Sequence, residues 1–504
     1  MPPWRRWTLV ATIIGSSLAF IDATVVNVAL PALQTALHAS LTEVQWIVEA
    51  YALFLSALIL VGGSAGDQFG RRRLFLVGVV VFTAASALCG LADSARALIA
   101  ARAVQGIGAA LLVPCSLAII TATFEDGDRG RAIGIWSGFT AITSALGPVA
   151  GGWFIDHVSW RAVFFLNLPL AAAVLALTWV YVPESRDPSR TRRIDWAGAV
   201  TATLGLGLIV FALLEWPRPD ASAPPVAAAM VVGAVFFVLF VVVERRSRQP
   251  MLSLELFRSR AFTLTNALTL LLYGSLSIVL FLVPMNLIEL QQYAATQAGG
   301  ALLPFPLIMF GLSRWSGGLV ERTGSRLPLT IGPAIAAAGI ALYALPDIGG
   351  SYWRTFFPAT VVLGCGMAIT VAPLTTTVMG SVDRRHAGVA SGINNAVSRV
   401  AGLLAIALFG VLLAGAFRAR VDAELDRIRL APPARAAIDR ELPRMAAADL
   451  SGASMSAAQR ASVRESIDRA FVAAFERVML TAAALALASG LLGALLPSRI
   501  PSST

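Results

Sequence analysis

The sequence predicts an all-α polytopic membrane protein, and three observations lead there. The 504 residues are 57% hydrophobic and only 13% charged, whereas a soluble chain carries about a quarter charged residues. Long apolar windows recur along the whole chain, each near the roughly 20 residues that cross a hydrocarbon core of about 30 Å. The windows are continuous rather than alternating, which selects helices over a β-barrel.

Fourteen spans follow from the pattern, near residues 8–30, 45–66, 74–92, 97–122, 131–155, 161–182, 194–215, 224–243, 260–289, 298–320, 327–346, 354–379, 386–417 and 470–497. The first apolar run, Trp7 to Leu30, is too long for a cleavable signal and ends at "VNVALP", so no signal peptide is expected. Arginines gather in alternate loops: "WRR" before the first span, then "GRRR", "DRGR", "ESRDPSRTRR", "ERRSRQP", "ERTGSR" and "DRRH" after the even-numbered ones. Positive charge kept on one side sets orientation. Both termini are therefore expected in the cytoplasm of a plasma membrane. The net charge of +10 thus reads as topology rather than nucleic-acid binding. The chain contains no lysine, which points to a GC-rich, bacterial genome.

Residues 418–469 interrupt the last two spans with the mixed-charge, helix-forming "RVDAELDRIRLAPPARAAIDRELPRM". Span parity puts this segment outside the cell, as a helical cap, because long loops translocate largely regardless of charge. Cys89, Cys115 and Cys365 lie inside spans without metal-ligand spacing and read as small apolar side chains. His38, His157 and His386 fall in loops or near span ends. There is no phosphate loop of the GxxxxGK[ST] type, so neither nucleotide nor cofactor is expected.

One polar stretch recurs. "GGSAGDQFGRR" begins at Gly62 after the second span, and "SGGLVERTGSR" begins at Ser316 after the tenth. Aligning Gly63 with Gly317 places Asp67 on Glu321, Gly70 on Gly324 and Arg72 on Arg326. A shift of eight spans equals a six-span half plus two inserted helices, the pattern of transporters built from parallel repeats. The expected layout is a first bundle at 1–185, two linker helices at 186–258, and a second bundle at 259–504.

Ionisable groups inside spans are the sharper functional signal, since each costs about 2.5–3.5 kcal/mol at a helix centre. Asp22, Glu49 and Arg102 all fall in the outer half of the first bundle. Facing one another, they would offset their burial. Burial disfavours a charged carboxylate and a nearby arginine favours it, which is the balance a proton carrier needs. A purely structural ion pair is the alternative.

With these residues in place, the chain resembles the major facilitator superfamily, specifically its fourteen-helix drug:proton antiporters. The loop signature matches Gly63, Asp67, Gly70, Arg71 and Arg72, and the first-span signature matches "FIDATVVNVALP", with Asp22, Thr24, Asn27 and Pro31. The fourth-span signature matches "LIAARAVQGIGAA", with Arg102, Gln105, Gly106 and Gly108. The antiporter signature matches "GFTAITSALGPVAGG", with Gly138, Gly147, Pro148, Gly151 and Gly152. The departures are Glu321, where the second loop often has Asp, and the long 418–469 segment. The resemblance implies that the loop around Asp67, Arg71 and Arg72, with Glu321 and Arg326 in its repeat, latches one half to the other. It also implies that the fifth span bends and seals the exchange path.

Phe20, Trp136, Phe139, Tyr273 and Phe281 are candidate cavity aromatics, with Asn27, Gln105, Asn394, Asn395 and Arg399 as candidate polar lining. The expected function is a proton-coupled exporter of lipophilic or cationic drugs, monomeric, working by alternating access on the proton gradient. A dedicated exporter of one endogenous metabolite is the alternative. A membrane-embedded enzyme would need a catalytic cluster at one face, which the sequence lacks; a receptor would leave the intramembrane acids without a task.

Overall fold

The computed structural model describes residues 3–124, 126–186, 195–216, 223–247, 252–382, 387–428 and 430–497. Backbone in hydrocarbon must satisfy its hydrogen bonds internally, and among the described residues helices do so with no strand. The first bundle comprises α1 (Pro3–Ala36), α2 (Leu41–Phe69), α3 (Arg71–Leu91), α4 (Ala95–Thr123), α5 (Asp126–His157) and α6 (Asn167–Tyr181). Two further helices follow, α7 (Trp196–Glu215) and α8 (Ala223–Arg246). The second bundle holds α9 (Arg260–Glu289), α10 (Ala295–Ala301 continued as Pro304–Gly317), α11 (Arg326–Leu342), α12 (Phe356–Gly380), α13 (Ala387–Leu425) and α14 (Ala457–Ala494).

Thirteen of the described helices are long and apolar enough to cross a bilayer. The fourteenth expected span is α11, which at 17 residues is about 25 Å long, the short end of the spanning range. It packs between α12 and α14. Helix starts follow local chemistry. Ser40 and Glu43 form a capping box on α2, and Ser456 and Gln459 form another on α14, each satisfying backbone donors that a helix leaves orphaned.

Within the first bundle α4 packs on α2 and α3, and α1 packs on α5 and α6. In the second, α12 packs on α10 and α11, while α9 contacts α13 and α14. The inserted α7 and α8 pack on each other, and α7 also rests against α2 and α13, one helix from each bundle. The polar repeat has a structural counterpart: Gly70 and Gly324 both take positive φ, +112° and +74°. Glycine alone enters that region without steric penalty, so each ends one helix and starts the next sharply.

Within residues 418–469, α13 extends as far as Leu425 and α14 begins at Ala457. Between them a short helix, Pro432–Glu441, and a 3-10 turn, Leu442–Ala447, form a cap. Arg435 holds it together through Asp422 (2.6 Å), Asp426 (3.0 Å) and Asp439 (3.1 Å). Gln34 of α1 donates to the Arg444 carbonyl at 3.1 Å, which ties the cap to the first bundle.

The two bundles meet at this cap end. One core cluster there unites Leu30, Val44 and Ile47 with Leu282, Leu413 and Phe417. Toward the opposite end, which bears both termini, clusters stay within single bundles: Leu18, Phe75, Phe82 and Ile119 in the first, Phe262, Val378 and Ile393 in the second. The halves therefore close at the cap end and part at the terminal end. Cysteine labelling with an impermeant maleimide tests the layout. Gly452→Cys, at a cap position with open space around it, should label from the side opposite Trp4→Cys. Labelling of both from one side would remove a span from the second bundle.

Candidate functional site

Asp22 sits in the middle of α1 and is 1% exposed, as is Arg102 of α4. The Arg102 Nη1 donates to Asp22 Oδ2. The other carboxylate oxygen, Oδ1, accepts from Gln105 Nε2 at 2.8 Å and from Asn167 Nδ2 at 3.2 Å. Arg102 also donates to Gln105 Oε1 at 2.8 Å and, through Nε, to the Ile47 carbonyl at 3.2 Å. Its guanidinium lies over the Tyr51 ring, 4.2 Å from the centroid, a favourable cation–π contact. Asn167 donates to Ser86 Oγ (3.0 Å), which donates to the Phe164 carbonyl (2.8 Å). One buried carboxylate thus gathers donors from α4 and α6 and, through them, ties in α2 and α3.

Two expectations change here. Gln105 belongs to this network, not to a cavity wall. Glu49 is not part of it: the side chain is fully buried, and neither carboxylate oxygen has a hydrogen-bond partner. On α2 it lies one turn from Gln45, which donates to the Ile406 carbonyl of α13 at 3.0 Å, so Glu49 sits close to the seam between the bundles.

In the loop from Gly62, Asp67 Oδ1 accepts from Arg71 Nε and Nη2 at 2.9 and 2.7 Å, and Arg71 reaches the Ala118 carbonyl at 3.4 Å. Glu184, a residue that sequence reasoning missed, accepts from the Arg72 and Arg73 amides at 3.1 and 3.2 Å. It caps the start of α3, where a carboxylate meets orphaned donors and the positive end of the helix. The described contacts of the loop run to α4 and to the chain after α6. Gly63 lies 3.6 Å from the Pro114 side chain, measured from where a Cβ would stand. In the repeat, Arg326 begins α11 exposed, and the Glu321 side chain lies outside the described residues.

The glycine-rich α5 makes the closure at the cap end. Gly147 and Gly151 pack against Thr24 and Val25 of α1, while Gly152 faces the Ala295 backbone, and Gly299 of α10 faces the Pro148 carbonyl. Helix backbones approach this closely only where side chains are absent. Gly138 differs, with nothing near its Cβ position. Just beyond, Asp156 accepts from the Ala295 and Thr296 amides at 3.0 and 2.8 Å and from the Thr296 hydroxyl at 2.6 Å. An acid of one bundle thereby caps a helix of the other. Above the α2–α13 contact, a cavity of about 650 Å³ separates the seam from the cap, lined by His38, Glu43, Gln45, Arg418, Arg440 and Arg444.

The candidate cavity residues divide. Phe281 is core, 1% exposed. The Trp136 indole donates to Ser16 and Ser116 (3.1 and 3.2 Å) and so locks α5 onto α1 and α4. Asn394 bonds Asn266 (3.1 Å) and Thr269 (2.7 Å) of α9, as interhelical glue. Phe20, Asn27, Tyr273 and Arg399 are half-buried, and Phe139 and Asn395 are exposed.

A family model described as Major Facilitator Superfamily matches residues 12–406. The chain belongs to the major facilitator superfamily. Relatives include "Multidrug resistance protein Stp" of Mycobacterium tuberculosis, 34% identical over 83% of this chain and 78% of that protein. Another is the "Tetracenomycin C resistance and export protein" of Streptomyces glaucescens, 33% identical over 82% and 76%. Among solved structures, a bacterial homologue of the human lysosomal transporter Spinster, inward-facing and unoccupied, superposes with a TM-score of 0.63. That match is at 17% identity and covers 98% of both chains. Superfamily and neighbours point to a transporter rather than an enzyme.

Breaking the buried pair should be severe. Arg102→Ala leaves Asp22 buried with only neutral donors and should lower stability by about 3–5 kcal/mol, read as a drop in detergent melting temperature; an unshifted melt would mean that the pair does not hold α1 to α4. At the other junction, Asp156→Ala removes charge-assisted bonds worth about tenfold or more in a two-state balance. Maleimide labelling of a cysteine at Ala298, fully buried in the seam, should rise by that factor, and unchanged labelling would dismiss Asp156 as a latch.

Proposed function

We propose that this major facilitator protein is a proton-coupled exporter of drugs or antibiotics, working by alternating access between its two six-helix halves. The observation that carries the coupling is the Asp22–Arg102 pair: an acid buried in a membrane helix, balanced by one arginine and two amides. Protonation removes half of the ion pair and loosens the tie between α1 and α4, which gives a proton a conformational consequence. The relatives' names, which speak of multidrug resistance and antibiotic export, support the substrate class.

With the arginine-rich loops taken as cytoplasmic, the cap end is exoplasmic and the conformation is inward-facing. Glu49 then belongs to the exoplasmic seam. Its carboxylate is fully buried there without a hydrogen-bond partner. The loop around Asp67 acts as a latch that engages the second bundle when the cytoplasmic side closes. A dedicated antibiotic exporter is the second reading, favoured by relatives named for single compounds, among them a "Methylenomycin A resistance protein".

Proteoliposomes with an imposed pH gradient and a substrate panel test the proposal. Asp22→Asn, whose amide cannot release a proton, should bind substrate yet lose gradient-driven transport. Full driven transport by this variant would remove Asp22 from the coupling step.

A further inference from the structure

We propose that Arg399 makes the opening below the α2–α13 contact a receptor for amphipathic anions, with a carboxylate seated on its guanidinium. The inference rests on the efflux reading and replaces the cationic substrate class expected from sequence. Arg399 lies within α13, between the buried Ile393 and Leu403. A charge at such a depth costs about 2.5–3.5 kcal/mol and is retained where it has a task. Arg102, by contrast, has an acid, two acceptors and a ring. Among the described residues Arg399 has no hydrogen bond, ion pair or ring contact, and its side chain is only half-buried.

Helical register fixes where it faces. Residues 399, 403, 406 and 410 recur at helical spacing on one side of α13. Leu403 packs in a cluster with Leu53 of α2, the Ile406 carbonyl accepts from Gln45, and Gly410 abuts the Gln45 amide. Arg399 follows one turn below, about 16 Å from the Gly410 contact, where the bundles begin to part. Asn395, a further turn down the same side, is exposed.

The charge balance decides the ligand. Asp22 is sealed in its pair and Glu49 is fully buried, so neither acid presents a charge to the opening, whereas Arg399 does. A cation would meet unopposed repulsion there. A carboxylate would meet a planar fork of donors suited to bidentate pairing, with an amide beside it.

Binding of three pyrene probes to the full-length protein in nanodiscs tests this, with empty nanodiscs subtracting lipid partition. The probes are pyrenebutyrate, its neutral primary amide and its trimethylammonium analogue. Pyrenebutyrate should bind at least about tenfold tighter than the amide, and the cation weakest. Arg399→Gln should erase the preference for the anion over the amide, and Arg399→Lys should restore part of it. Equal binding of anion and amide, or a preference that survives Arg399→Gln, would overturn the inference. The same probes in proteoliposomes separate it from the efflux reading. Driven transport of the amide or cation without anion preference sinks only the anion site. Failure of all three to respond to the gradient sinks the efflux reading, while the binding result still decides the role of Arg399.

Discussion

A carboxylate in a bilayer has to find its own solvent, and Asp22 finds it in three side chains drawn from two other helices. That requirement organises five of the six helices of the first bundle. Arg102 can reach Asp22 only if α4 crosses α1 closely, and it then has donors left over, which the Ile47 carbonyl and Gln105 take up. Asn167 supplies the remaining bond from the first turn of α6 and is itself steadied by Ser86 of α3. Removing any member leaves a buried group unsatisfied, and that penalty exceeds the modest net gain of forming the bond. The network therefore fixes five helices as one rigid unit. A rocking mechanism needs such a unit, because motion should concentrate at the seam and not within the half.

The seam is built by the opposite strategy. Between α5 and α10 there is almost no side chain: Gly152 meets Ala295, and Gly299 meets Pro148. Backbone on backbone gives tight closure with little to unpack, and Asp156 adds a few directional bonds to the start of α10. Such a contact is bistable. It is fully made at close approach and lost within a small displacement, so it can be broken and remade without disturbing either core.

What could be read in the sequence was whatever a one-dimensional pattern records. Spans are legible because hydropathy is local and insertion depends on about 20 residues at a time. Asp22 and Arg102 are legible because a charge amid apolar residues is anomalous wherever it folds. The repeat is legible because glycines at Gly70 and Gly324 answer a backbone need that other residues meet poorly. Asp156 and Glu184 were not, since an acid at a span end is ordinary, and only tertiary approach decides that each meets a helix start. Phe281, expected to line a cavity, lies in the core, because hydropathy does not say which way an aromatic ring faces. Glu49 looked like a third partner because its depth matches the pair; the turn of α2 carries it away.

The two ends of the molecule can be compared on the same terms. At the cap end an acid of the first bundle, Asp156, holds a helix start of the second. At the terminal end the acid of the polar loop, Asp67, pairs with Arg71 four residues along its own chain. Both side chains of that pair are only 15% exposed. The asymmetry has a mechanical meaning. A transporter that opens to one side at a time cannot hold the junctions at both ends made at once. With each junction worth only a few kcal/mol, either state can be favoured by a modest difference in ligand or proton binding. That is the condition under which a buried acid such as Asp22 can set the balance.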